Sequence, residues 1–251
     1  MQESGVSISE SLNGGSRFGE TCVALLSVLL LVALVAGSYA FVNRDRLRTK
    51  RNEALVLAAR EGGIARMQMC LLLGADANTK VGWLGLDGWG GIQATRPLTM
   101  AAANGQIQAI DFLLANGADI NLIDEFGSPL AHAAFSGQKE AVERLLVHGA
   151  DINAGFYDWT DTTPLTAAVS GNQVEMTDLL LMHGAGNSLR ANAALWLAVK
   201  TNNQAIIRSL LAACVDLLAK NDDGVTVLEY AQTQGHVEIV RLLSDAEKQC
   251  R

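Results

Sequence analysis

Six stretches of this chain align on one another without gaps: EALVLAAREGG, RPLTMAAANGQ, SPLAHAAFSGQ, TPLTAAVSGNQ, AALWLAVKTNN and TVLEYAQTQGH. Each carries leucine at its third position: Leu55, Leu98, Leu130, Leu165, Leu195 and Leu228. Seven residues further stand Gly62, Gly105, Gly137, Asn172, Asn202 and Gly235. Only Gly and Asn occur there, the residues that enter the left-handed conformation of a helix C-terminus most cheaply. All three prolines of the protein, Pro97, Pro129 and Pro164, directly precede one of the leucines, as befits a first helical turn whose N–H has no partner to lose. A second apolar run follows, such as IQAIDFLL (107–114), and closes on GAD (74–76, 117–119, 149–151), GAG (184–186) or Cys214-Val215-Asp216. The unit is helix, tight turn, helix and a Gly-led loop, repeated.

The spacing says which part of the unit is constrained. From the anchor leucine to the closing position the distance is 19 residues in five consecutive units, 55 to 74, 98 to 117, 130 to 149, 165 to 184 and 195 to 214. From there to the next leucine it is 24, 13, 16, 11 and 14. Helix pairs that bury their faces only by stacking on neighbours must keep their length. Surface loops between them need not.

The motif TPLxxAAxxGxxxxxxxLLxxGADxN, best seen at 96–121 (RPLTMAAANGQIQAIDFLLANGADIN), resembles the ankyrin repeat over roughly residues 53–251. The resemblance implies an all-α solenoid of about six helix-turn-helix repeats with outward β-hairpin fingers, a protein-binding module. The repeats read as 53–79, 80–124, 125–160, 161–190, 191–221 and 222–251. The fifth lacks Thr-Pro and Gly-Ala-Asp, and the last helix runs into polar SDAEKQCR, which suits a terminal cap.

Ahead of the repeats lies TCVALLSVLLLVALVAGSYAFV, residues 21–42, without charge or proline. As a helix of about 1.5 Å per residue it reaches roughly 33 Å, enough to cross a bilayer core. Before it lie a polar tail, residues 1–20, and the charges Glu3, Glu10, Arg17 and Glu20. After it Arg44, Arg46, Arg48, Lys50 and Arg51 face a single Asp45. Positive residues stay on the cytoplasmic side, so the expected topology is N-terminus outside, a basic juxtamembrane linker over 43–52, and a cytoplasmic repeat domain. A cleaved signal peptide is the alternative; against it stand the long acidic leader and the basic cluster on the wrong side. Cleavage would also leave three cysteines in an oxidising compartment. The basic run has two readings, a topology signal or a contact for anionic lipid.

A net charge of −7 argues against nucleic acid, where phosphates must be neutralised by Lys and Arg. The four cysteines (Cys22, Cys70, Cys214, Cys250) lack zinc or redox spacing. The glycine-rich stretch KVGWLGLDGWGGIQATRPL (80–98) fails each test for a chemical loop. Gly85 to Gly90 matches the ends of a phosphate loop, but Gly91 stands where its lysine belongs. Gln93 replaces the third glycine of a dinucleotide loop, and Asp87 is a lone carboxylate, too few for calcium. His132 falls in a packed helix column, and His148 and His183 precede helix-ending glycines, where they can meet terminal carbonyls. No nucleophile has a base at motif spacing. No enzyme, catalytic residue, metal, cofactor or small-molecule substrate is expected.

The aromatic residues mark the surface instead. Trp83 and Trp89 fall in the first finger, Phe126 in the second, and Phe156, Tyr157 and Trp159 in the third, while Phe135 lies five residues past its leucine. In ankyrin repeats that last position faces the concave groove, by the resemblance. Tyr and Trp are favoured interface anchors. Asp87, Asp124, Glu125, Asp158 and Asp161 share these loops, so the fingers read as an apolar, acidic surface for a partner with basic and hydrophobic groups. Trp83 and Trp89 could equally pack against their own neighbours and seal the exposed first repeat. The expectation is a membrane-anchored scaffold that recruits or inhibits a partner protein, with Asp87 and Asp158 beside the aromatics as candidate contacts. An exported, signal-cleaved binding protein is the alternative, and an enzyme has no supporting motif.

Overall fold

The computed structural model describes residues 31–32, 38, 43–84, 92–155, 162–185, 191–218, 220–221 and 223–249. Contacts divide the chain into two units, Met1–Lys50 and Arg51–Arg251. In the first unit Leu31, Val32, Ser38 and residues 43–50 are helical. The segment 43–52, expected to be a linker, is therefore helical throughout, with the Thr49 hydroxyl donating to the Asp45 carbonyl at 3.0 Å. Among the described residues no helix is long and apolar enough to cross a membrane. The expected span 21–42 lies outside them apart from Leu31, Val32 and Ser38.

The second unit is built of paired helices: α1 (residues 51–61) with α2 (Ile64–Leu72), α3 (Pro97–Ala103) with α4 (Ile107–Ala115), and α5 (Pro129–Phe135) with α6 (Lys139–Val147). Then follow α7 (Pro164–Ser170) with α8 (Val174–Met182), α9 (Ala191–Lys200) with α10 (Gln204–Ala212), and α11 (Val227–Thr233) with α12 (Val237–Gln249). The first helices pack on one another, α3 on α5, α5 on α7, α7 on α9 and α9 on α11. The second helices form the other layer, with α2 on α4, α4 on α6, α8 on α10 and α10 on α12.

The repeated residues do what their chemistry suggests. Pro97, Pro129 and Pro164 each open a helix. The Ser128 hydroxyl accepts the Ala131 N–H, and Thr163 with Thr166 and Thr226 with Glu229 form reciprocal capping boxes. All six turn positions are left-handed, with φ from 55° at Asn202 to 71° at Gly62. The closing positions share this, Gly74, Gly117, Gly149 and Gly184 near 90° and Cys214 at 54°. Leu55, Leu98, Leu130, Leu165 and Leu195 are buried between layers, while Leu228 of the sixth repeat is half-buried.

Polar side chains tie each helix pair to the loop or repeat beside it. The Asn52, Asn78 and Asn121 side-chain oxygens accept the N–H of Asp76, Asp119 and Asp151 at 3.1, 2.7 and 2.9 Å. Asn78 also donates to the Gly117 carbonyl at 2.9 Å. On the other side of the turn, Gln106 donates to the Arg60 carbonyl and Gln173 to the Phe135 carbonyl. Arg51 is engaged as well: its guanidinium donates to the Leu73 carbonyl.

Among the described residues the first finger is the expected hairpin, and the second and last are shorter. The first forms a ladder, β1 (Val81–Leu84) antiparallel to β2 (Ile92–Thr95), in a register from Val81↔Thr95 to Leu84↔Ile92 that is symmetric about residue 88. The second is only a single bridge, Asp124↔Gly127, and the last a bridge between Lys220 and Thr226. The reason is length: four residues from Asp124 to Gly127 close a turn with nothing left to pair. The tip of the first finger and the loops 156–161 and 186–190 lie outside the described residues.

Candidate interaction surface

Of the nine expected contact residues, Trp89 and Asp87 fall in 85–91 and Phe156, Tyr157, Asp158 and Trp159 in 156–161, outside the described residues. Trp83 belongs to β1, opposite Gln93. Phe126 and Phe135 are fully described, 49% and 47% exposed. These are high values for phenylalanines in a folded repeat array, where most large apolar side chains are covered.

Phe126 is held from beneath. Its ring stands edge-on to His132, centroids 6.5 Å apart and planes at 88°. His132 Nε2 in turn donates to Asp124 Oδ1 at 2.9 Å, and the same oxygen accepts the Phe126 N–H at 3.1 Å. The finger thus returns from Asp124 to Gly127 and presents Phe126 on a fixed platform (Asp124 N–H to Gly127 carbonyl, 3.0 Å).

This corrects two expectations. Asp124 is not part of an acidic surface: its side chain has no exposed area, because the turn folds over it. Glu125 is exposed but ion-paired to Lys80 Nζ at 3.2 Å, at the root of the neighbouring finger. His132 is more than a packed helix position, being the polar strut of the finger. His148 likewise binds a neighbour: its Nε2 lies 3.0 Å from Asp111 Oδ1 on α4, whose other oxygen meets Arg144 at 3.2 Å.

The first-helix layer holds a second aromatic group. Trp196 on α9 and Tyr230 on α11 are both half-buried, with ring centroids 5.5 Å apart at 60°, and Lys200 Nζ stands 5.9 Å from the Trp196 ring. Offset edge contacts and a nearby cation suit the negative ring face. Their signal was available: Trp196 and Tyr230 occupy adjacent columns of successive repeats, where α3 to α7 carry Thr99, Ala131 and Thr166, then Met100, His132 and Ala167.

A family model described as ankyrin repeats in three copies matches residues 98–191 and 183–251. The chain belongs to the ankyrin repeat family. It is also 31% identical over 207 residues to the Ankyrin repeat and KH domain-containing protein mask-1 of Caenorhabditis elegans. That match covers 77% of this chain but spans only 7% of the relative's length. Ankyrin repeats are protein–protein interaction modules, in general non-enzymatic.

Among the described residues of this ankyrin domain, Cys70 and Glu229 are shifted from their ordinary values. Burial pushes the Cys70 thiol up, with Arg66 opposing. The Thr226 backbone N–H, then its hydroxyl, holds the Glu229 carboxyl below the usual range. Both sit within the repeat scaffold, one in the core of α2 and one in a helix cap.

Proposed function

We propose that this protein is a membrane-anchored ankyrin scaffold that binds a partner protein through its fingers and first-helix layer, recruiting or inhibiting it at the membrane. The observation that carries the binding surface is the exposure of Phe126, on a finger braced by the His132–Asp124 bond, and of Phe135 at the end of α5. Stiff aromatic groups lose little entropy on docking and dominate binding energies. Trp196, Tyr230 and Lys200 extend the surface along the same layer. Trp83, Trp89, Phe156, Tyr157 and Trp159 are proposed contacts on the neighbouring fingers, and Asp87 and Asp158 complement basic groups on the partner.

The anchor is residues 21–42, supported by their uncharged composition and by the basic run 44–51. The repeats lie in the cytoplasm, with the N-terminus outside. No small molecule, cofactor or nucleic acid takes part.

Two experiments test this reading. A photocrosslinker placed at position 126 captures the partner. Phe126→Ala and Phe135→Ala each weaken the captured pair by about tenfold, near 1.4 kcal/mol. Unchanged affinity in both variants rejects this surface. Topology is read from Cys250, which stays unlabelled by an impermeant thiol reagent on intact cells; rapid labelling there places the domain outside and favours the signal-cleaved form.

A further inference from the structure

The outer face of α2 is unlike that of any later repeat. Met69, Leu72 and Leu73 are 58%, 77% and 54% exposed, three large apolar side chains within five residues. The helix, IARMQMCLL, contains no acidic residue. The corresponding faces of α6 and α8 expose Glu140, Glu143 and Lys139, and Glu175 and Asp178, beside one apolar residue each, Val147 and Met182. Solvent-facing helices normally carry charge on this face, and α2 has only Arg66, which pairs with Glu61.

We propose that this face of α2 is a second membrane contact, with Met69, Leu72 and Leu73 seated in the interfacial layer of the bilayer crossed by residues 21–42. The inference rests on the anchor reading, for which it names an additional lipid-facing surface. Chain length limits how far the patch can be from the membrane. Arg51 follows Val42 by nine positions, at most about 32 Å when fully extended. Arg51 is bonded to the patch itself, through the Leu73 carbonyl, and Asn52 accepts the Asp76 N–H just beyond it. The point at which the tether enters the repeats is therefore the point at which the apolar residues emerge.

Charge selects the same occupant. The tether carries Arg44, Arg46, Arg48, Lys50 and Arg51 against Asp45, and basic residues at a cytoplasmic surface are drawn to anionic headgroups. An amphipathic face lying in the interface pairs apolar contact with such a basic flank and avoids carboxylates. Tethering makes a weak contact sufficient, since a short linker gives an effective concentration on the order of millimolar.

The test uses the full-length protein reconstituted into vesicles of phosphatidylcholine and phosphatidylserine. A photocrosslinking residue is placed at position 72, or at position 147 as the comparison, and adducts are identified by mass spectrometry. Position 72 gives phospholipid adducts in several-fold excess over position 147. Equal yields at the two positions, no lipid adduct at 72, or adducts at 72 to a second copy or another protein all overturn the inference. The same vesicles are extracted with alkaline carbonate. A chain that is extracted refutes the anchor and this contact together, whereas a retained chain without lipid adducts at 72 refutes the contact alone. The triple variant M69Q/L72Q/L73Q, confined to exposed positions, leaves retention unchanged and makes the 43–52 segment several-fold more sensitive to protease; unchanged sensitivity counts against the contact.

Discussion

His132 and Asp124 form a buried strut beneath the second finger: Nε2 and Oδ1 are 2.9 Å apart, and the carboxylate has no exposed area. The other carboxylate oxygen is buried without a hydrogen bond, so the group depends on the two bonds that Oδ1 makes. Removing one partner from a buried polar pair costs more than the net value of the bond. Asp124→Ala is expected to lower stability by about 1–3 kcal/mol and to release Phe126. In a double-mutant cycle with His132→Ala the two losses should be non-additive by at least about 0.5 kcal/mol. Additive losses in chemical denaturation would show that the pair does not act as one unit.

Gly117 and Gly171 both end helical segments but answer to different constraints. Gly117 has φ +83° and open space around a would-be Cβ, so Gly117→Ala meets only backbone strain, about 1–2 kcal/mol. Gly171 has an ordinary φ of −77°, but a Cβ there runs into the backbone carbonyl of Phe135 in the preceding repeat. Backbone cannot rotate aside as a side chain can, so Gly171→Ala is expected to cost more than Gly117→Ala, by about 1 kcal/mol or more. Denaturation midpoints that rank the two variants in reverse would refute the close-approach account.

The contrast separates what local sequence dictates from what only stacked repeats decide. The helix pairs were legible because leucine, turn glycine and closing glycine recur at fixed offsets, and local chemistry enforces each: proline at the start, Gly or Asn at φ near 60°. Asn172 and Asn202 in the left-handed column confirm that the column, rather than glycine as such, was the signal. What escaped was contact between repeats. Asp124 looks like a surface acid in sequence, since nothing local says that the turn will close over it. His148 looks like a helix cap because its partner, Asp111, is 37 positions away. The Trp196–Tyr230 pair exists only once α9 and α11 stack, so neither helix alone announces it. Of the proposed aromatic contacts, Phe126 and Phe135 are exposed and Trp83 lies in β1, while Trp89, Phe156, Tyr157 and Trp159 fall outside the described residues.

The asparagine ladder makes a graded prediction. Asn78 bridges its neighbour with two bonds, accepting from Asp119 and donating to Gly117, while Asn121 makes one such bond, to Asp151. In a linear array, coupling between adjacent repeats sets cooperativity. Asn78→Ala should therefore destabilise more than Asn121→Ala, about 2 against about 1 kcal/mol at roughly 1 kcal/mol per bond. It should also broaden the unfolding transition as the first repeat uncouples. Equal losses with an unchanged slope would count against the ladder as the coupling element.

Glu229 gives the C-terminal repeat a pH dependence of known sign. Its carboxylate accepts the Thr226 N–H at 2.8 Å and the Thr226 hydroxyl at 3.0 Å, which lowers its pKa relative to the unfolded chain. The native state then binds fewer protons than the unfolded state in the carboxylate range, so stability there rises with pH. The contribution is fully present above the ordinary glutamate value, about 4.3, and is lost as pH falls through the lowered native value. Glu229→Gln keeps a side chain able to reach the cap but cannot ionise. The stability difference between wild type and Glu229→Gln should accordingly be largest near neutral pH. It should shrink on acidification from about pH 5 to pH 3. Urea midpoints for the two proteins, measured across that interval, decide it: a difference that stays constant with pH would mean that the charge on Glu229 does not stabilise α11.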